Sequence, residues 1–273
     1  MTCPSKPRHS LFARRNDLRQ RRYFPFPVWS ALELDLAPKI RAISDDWLRL
    51  RAAAGRPPSG SDPVAPHPLA AFYRPPSPSG SSDLRLVRET AAFERGRAPF
   101  SSLPAALGED EFVSFLEMLA AEVTQSPARL RRGPVLTDPD EKGVSVIFPR
   151  PGTLPTRLRR LHAWLSARDG PAPFRAMVAM VAVTNAHPFA DGNGRVSRVL
   201  ANLVLNEDGG QDAAYLPLHE LGNRPPGNLT LYARDAELHG AWGDLLDLLR
   251  AAIVAAHPTS AAPTTRGPQQ DPD

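Results

Sequence analysis

His187-Pro-Phe-Ala-Asp-Gly-Asn-Gly-Arg-Val-Ser-Arg198 is the stretch on which the reading of this chain turns. It follows the most apolar run of the sequence, Pro173 to Ala186, where Phe174, Met177, Val178, Met180, Val181 and Val183 leave little polar face. A helix apolar nearly all round belongs at the centre of a core. The pattern therefore predicts a central helix that ends at His187. Arg195 to Leu205 reads as the next helix, with Gly192 and Gly194 in the turn before it. Those glycines let the backbone turn tightly, with N–H groups aimed into one hollow. The hollow lies at a helix start, where free N–H groups and the dipole favour an anion. Arg195 and Arg198, three residues apart, share a helical face and add positive charge beside it. Asp191 can hold a hard cation such as magnesium, which needs few carboxylates when phosphate oxygens complete its shell. His187 can take a proton near neutral pH. Each feature alone is ordinary. Together, within 12 residues, they describe transfer of a phosphoryl-type group to a hydroxyl.

The rest of the chain reads as helices with one exception. Trp29, Leu32, Leu36, Ile40, Ile43, Trp47 and Leu50 recur at helical spacing across Val28 to Ala54, and Pro38 is expected to divide that stretch in two. Gly55 to Ser82 is rich in Pro, Gly and Ser and reads as a linker. Asp83 to Phe93 reads as a helix and Arg95 to Leu107 as a loop. Glu109 to Val123 is amphipathic, with Phe112, Phe115, Leu116 and Leu119 on its inner face. Pro155 to Ala167, Leu229 to Leu238 and Trp242 to Ala256 are further helices. The exception is a β-hairpin: Val135 and the run Val144, Ser145, Val146, Ile147, Phe148 flank turn residues 137–143. The expected fold is all-α, a helical bundle with a small β-hairpin and an N-terminal helical extension. Residues 1–27 read as a flexible basic arm, 28–108 as the extension and linker, 109–256 as the main domain, and 257–273 as a disordered tail.

Composition narrows the setting. The formal net charge is +4, and the basic residues are nearly all arginine; the lysines are Lys6, Lys39 and Lys142. Arginine grips phosphate in a planar fork. The single cysteine, Cys3, allows no disulfide within the chain and no cysteine-based zinc site, which fits a reducing compartment. No apolar run is long enough to span a membrane. The arginine-rich arm, with Arg14, Arg15, Arg19, Arg21 and Arg22, raises a second reading, a basic binding module for nucleic acid or an acidic partner. It has little aromatic interleaving, and no DNA-binding motif accompanies it, so nucleic acid is not the expected partner. The remaining histidines show no metal-ligand spacing.

At every defining position, residues 187–198 match H-x-F-x-[D/E]-G-N-G-R-x-x-R, the signature of the Fic family. Chance would produce such a match on the order of once in 10^10 positions. The chain thus resembles a Fic (Fido) protein adenylyltransferase over residues 109–256, where a hairpin flap precedes the motif among buried helices. The resemblance implies that His187 is the general base for a Ser, Thr or Tyr hydroxyl of a target protein. Asp191 would bind Mg2+ on the phosphates of ATP. Gly192, Asn193 and Gly194 would form the anion hole, Arg195 would grip the β-phosphate, and Arg198 would lie near the γ-phosphate. AMP would stay on the target and pyrophosphate would leave. The flap, Val144 to Phe148, would hold the target segment by strand addition and border the adenine pocket. A branch of the family phosphorylates instead, with another residue in place of the second glycine; Gly194 favours AMP transfer. Other members use other nucleotides or phosphocholine.

Many Fic proteins resemble restrained enzymes, in which a glutamate of a [S/T]-x-x-x-E-[G/N] helix pairs with the second motif arginine. The nearest match here is Thr90-Ala-Ala-Phe-Glu94, followed by Arg95 rather than Gly or Asn. If Glu94 does not restrain the site, an antitoxin-like protein supplies the glutamate or the enzyme is unrestrained. The resemblance also admits a homodimer. A cytoplasmic location is expected, with secretion as an effector left open.

Overall fold

Thirteen of the fifteen residues of α5 (Ala172–Ala186) are buried. The two polar ones that a core resists are both partnered: Arg175 donates to Glu207, and Asn185 Nδ2 to Glu237 Oε1 at 2.7 Å. The computed structural model describes residues 18–20, 24–54, 81–106, 108–137, 144–208, 213–222 and 228–256. Among these it is mostly helical, with nine α-helices and a little strand.

Other helices wrap α5. Its broadest interface is with α6 (Asn193–Leu205). α4 (Leu154–Ala167) also packs on α5, and α3 (Glu109–Thr124) packs in turn on α4 and α6. α1 (Glu33–Ala54), α8 (Leu229–His239) and α9 (Trp242–Ala255) touch α5 as well, and the short α7 (Leu218–Gly222) rests on α9. The long α2 (Ser81–Ala106) crosses α3 and α6.

Three expectations need correction. Pro38 does not divide the first helical stretch: α1 is continuous through it. The proline lies in the second turn, and a continuous buried stripe of Leu36, Ile40, Ile43, Trp47 and Leu50 holds the helix against its neighbours. The loop expected from Arg95 is helix as well. Gly96 marks a close crossing there rather than a break, since a Cβ on it would stand 3.1 Å from both Leu119 and Leu203 side chains. Packing overrides the low helix propensity of Gly96 and Pro99. Finally, the arm is not flexible up to residue 27. Phe24 is buried, edge-on to Trp242 at 6.2 Å, and Phe26 stacks on Trp164 at 5.6 Å.

The hairpin is present. Thr137 N donates to Val146 O at 3.0 Å and Phe148 N to Val135 O at 3.0 Å, with Leu136 opposite Ile147. The strand β2 (Ser145–Ile147) also has a second neighbour, β1 (Leu18–Gln20), which runs parallel to it. Turn residues 138–143, residues 55–80 of the expected linker and the tail 257–273 lie outside the described residues, while Ser81 and Ser82 of that linker open α2.

Candidate active site

The backbone of His187 is left-handed, φ 48° and ψ 59°, and its N–H still reaches Val183 O at 2.9 Å. A non-glycine residue costs about 1–2 kcal/mol in that region, so the surroundings must hold it. Arg131, 7% exposed, does much of this. Its Nε donates to His187 O at 2.7 Å, and its terminal nitrogens donate to Gly133 O at 2.9 Å and Pro149 O at 2.5 Å. Its backbone N–H donates to Pro188 O at 2.9 Å. Burial draws its pKa below the ordinary arginine value. Gly133 lies on the way into the flap and Pro149 on the way out, so one side chain ties both legs to the histidine's own carbonyl. Against the imidazole itself lies Phe148, ring centroids 3.8 Å apart and planes 24° from parallel.

The loop after His187 is locked by its own side chains. Phe189 is buried. The buried Asn193 amide accepts from Phe189 N at 2.8 Å and donates to Phe189 O at 2.9 Å. Gly192 stands before α6 with φ 82°, and a Cβ there would meet Thr124 Cγ2 at 2.8 Å. Glycine is needed twice over, for backbone angle and for space. The first N–H groups of α6, from Asn193, Gly194 and Arg195, have no acceptor within the helix and suit an anion.

Charges gather around this helix start. Asp191 Oδ1 accepts from Gly192 N at 2.6 Å and Oδ2 from Arg195 at 2.7 Å. Burial would raise its carboxyl, but the Gly192 N–H, the Arg195 guanidinium and nearby His187 outweigh that, and it sits below the usual carboxylate value. Arg195 also donates to Val123 O at 2.6 Å, which braces it on the end of α3. Arg198 is buried, and its Nε and a terminal nitrogen hold Glu89 Oε2 at 3.1 Å and Oε1 at 2.5 Å. Burial works against its charge, but the Glu89 bond prevails and its pKa is raised. Gly194 leaves the room this arginine needs, since a Cβ there would sit 3.3 Å from its terminal nitrogen.

Glu89 is 1% exposed and has a second partner, Tyr215, whose Oη donates to Oε2 at 2.5 Å. Burial and the Glu89 charge push the Tyr215 hydroxyl well above its usual pKa. Asn202 of α6 and Asn206, which caps that helix, set Tyr215 in place. Asn202 exchanges hydrogen bonds with both backbone groups of Leu216, and Asn206 with both of Ala214.

The glutamate on Arg198 is thus Glu89, not Glu94. Five residues further along α2, Glu94 is turned by about 140°. It is exposed and pairs with Arg97 at 3.0 Å. Thr90 is half-buried. Around Glu89 the sequence reads Arg85-Leu-Val-Arg-Glu89-Thr90, which breaks the expected pattern on both sides. A different signal was available. Leu86, Glu89 and Phe93 share one face of the helix, and a carboxylate on an apolar stripe demands a buried partner. Arg131 left no comparable trace, because its partners are backbone carbonyls.

In the flap, Ser145 is fully buried and Val144, Val146 and Ile147 are half-buried. A cavity of about 110 Å³ opens beside Gly194 and Arg198 between α5, α6 and α8, lined by Met180, Thr184, Leu229, Ala233 and Arg234 among others. None of Val144 to Phe148 lines it. Among the described residues no cluster of three or more His, Cys, Asp or Glu could hold a metal by itself. The donor offered is one exposed carboxylate, Asp191, which fits a magnesium ion whose other ligands are phosphate oxygens and water. No helix among the described residues is long and apolar enough to cross a membrane.

The model of the Fic/DOC family matches residues 107–205. A protein adenylyltransferase Fic from Culex quinquefasciatus is 40% identical over 67 residues, 23% of this chain and 13% of that protein. One from Aedes aegypti is 37% identical over 65 residues, 22% of this chain and 13% of that protein. The aligned stretch thus spans only about an eighth of these relatives. The crystal structure of a Fic family protein from Desulfovibrio desulfuricans superposes with a TM-score of 0.53 at 17% identity, covering 88% of this chain and 72% of that one. That likeness concerns the fold.

Proposed function

From the match of residues 107–205 to the Fic/DOC family model, we propose that this protein transfers AMP from ATP to a hydroxyl side chain of a target protein. The observation that carries the proposal is the convergence of a braced histidine, a low-pKa carboxylate and two arginines on one helix start. Triphosphate oxygens are received by the N–H groups of Asn193, Gly194 and Arg195, and the cavity beside Gly194 receives the nucleoside. His187 takes the proton of the attacking hydroxyl. That oxygen forms a bond to the α-phosphorus, the bond to the bridging oxygen breaks, and pyrophosphate leaves while AMP stays on the target. Asp191 would hold magnesium, which would supply charge neutralisation on the phosphates. The chain's own residues do the positioning: Arg131 fixes the His187 backbone, Phe148 packs on the imidazole, and Asn193 fixes the loop.

Glu89 restrains this site in the same reading. With Arg198 closed on Glu89, its guanidinium is not available to a γ-phosphate. The chain then carries its own inhibitory carboxylate and needs no antitoxin-like partner for restraint.

The test is incubation with Mg2+ and ATP labelled at either the α or the γ position, comparing wild type, Glu89→Gly and Glu89→Gly/His187→Ala. Protein-bound α label that rises in Glu89→Gly and vanishes in the double variant is expected. Label from the γ position alone means phosphorylation and overturns the reading. No label in any variant, with salt-sensitive nucleic-acid binding, points to the basic module instead.

A further inference from the structure

The flap strand β2 has two edges, and both are filled. On the inner edge Val146 O and Phe148 N bond to Thr137 and Val135. Backbone groups of successive residues in a strand point to opposite sides, so those of Ser145 and Ile147 face the outer edge. There β1 lies parallel, with Leu18 opposite Ser145, Arg19 opposite Val146 and Gln20 opposite Ile147. The chain's own N-terminal arm therefore occupies the edge by which an extended segment of another protein would add to the flap.

The arm's hold is weak in itself and strong by tether. Three paired residues make few hydrogen bonds, each worth about 0.5–1.5 kcal/mol net. Phe24, however, is anchored in the core against Trp242. The four residues from Gln20 to Phe24 can reach no further than about 14 Å. A segment held that close has an effective concentration in the millimolar range or above. It fills the edge in the resting protein, yet a segment with a few additional contacts can displace it.

We infer that Leu18–Gln20 is a resident strand on the outer edge of β2, which any extended segment adding to that edge must first displace. The competition with a target rests on the transferase reading. The occupancy itself does not, and the experiment separates them.

In the full-length chain, the triple substitution Leu18→Pro/Arg19→Pro/Gln20→Pro removes the arm's donors and its extended pairing. Amide exchange at Ser145 and Ile147 is expected to quicken at least tenfold, with Phe148, bonded to Val135, little changed. A fluorescein-labelled synthetic peptide of residues 14–23 is the probe for binding. Its Kd for the variant should be at least tenfold tighter than for wild type. Equal exchange rates or equal Kd values overturn the inference.

A second variant guards against misfolding of the first. In Cys3→Ser/Arg19→Cys/Val146→Cys, oxidation should lock the arm on the edge and abolish peptide binding, and reduction should restore it. Peptide binding unaffected by oxidation also overturns the inference. None of these readouts uses ATP. If transfer is detected, the proline variant should show a lower KM for the target at unchanged kcat. If neither protein transfers label while the exchange and binding results hold, the transferase reading fails and the resident strand stands.

Discussion

The guanidinium of Arg198 is held in a two-point grip by the carboxylate of Glu89, at 3.1 and 2.5 Å, from a helix 109 residues earlier in the chain. Both groups are buried, and the second carboxylate oxygen also takes the Tyr215 hydroxyl. Breaking a buried pair by removing one partner typically costs about 3–5 kcal/mol, because the other charge is left alone. Here the orphan would be an arginine beside the helix start proposed to receive phosphate.

Glu89→Gly is therefore expected to lower Tm without nucleotide and to gain more Tm from ATP than wild type does, since a γ-phosphate replaces the lost partner. Modification with α-labelled ATP should rise by about tenfold or more. Glu94→Gly loses an exposed pair with Arg97 and about 1 kcal/mol of helix propensity, so it should lower Tm slightly but leave the ATP-dependent gain and the modification unchanged. If Glu94→Gly activates and Glu89→Gly does not, the restraint lies elsewhere.

Arg131 makes a second prediction, through the histidine. Lysine keeps the charge but cannot bridge three carbonyls in one plane. Arg131→Lys should fold, with kcat lowered by about tenfold to a hundredfold and KM for ATP little altered, as expected for a misplaced base. Amide exchange at Phe148 should quicken, because the flap legs lose their tie to His187 O. Full activity in Arg131→Lys would show that the other contacts suffice to place the imidazole.

Gly192→Ala and Gly194→Ala should differ in kind. At Gly192 a methyl meets Thr124 at 2.8 Å and the backbone is left-handed, so a loss of about 2–4 kcal/mol in stability is expected in thermal or urea unfolding. At Gly194 the neighbour is the end of the Arg198 side chain at 3.3 Å, and the backbone angle is ordinary. That variant should lose less than about 1 kcal/mol and show its effect on ATP affinity.

Glu220 supplies a pH signature. Burial raises its carboxyl, and the Glu89 charge adds to this against its own backbone N–H, Arg198 and Arg85. A carboxyl raised in the folded state prefers to be protonated there. The ionised form thus costs stability, a penalty absent below its unfolded pKa and complete above its folded one. Glu220→Gln should raise Tm at pH 7, by about 2 °C for each kcal/mol relieved, and leave it unchanged near pH 4. A gain that is the same at both pH values would remove the ionisation from the explanation.

The site was legible in the sequence to the extent that it is local. His187, Asp191, the two glycines, Asn193 and the two arginines are contiguous, and a helix end followed by a helix start fixes their relation within a few residues. The central helix and α3 to α6 were legible for the same reason, from short-range apolar spacing. Gly96, Pro99 and Pro38 misled because propensity speaks for the isolated chain, whereas the helices through them are held by packing partners such as Leu119 and Leu203.

By itself, then, the sequence determined a helical core and the set of groups that could handle a triphosphate, because turn chemistry and helix periodicity act over a handful of residues. Only the tertiary structure decided what holds those groups. Glu89 closes on Arg198 from 109 residues away, Tyr215 reaches Glu89 across 126, and Arg131 grasps His187 across 56. The arm of residues 18–20 finds the flap in the same way. Such contacts are set by which buried surfaces meet. A charge or a carbonyl left dry by that meeting takes whatever partner the fold has brought within reach.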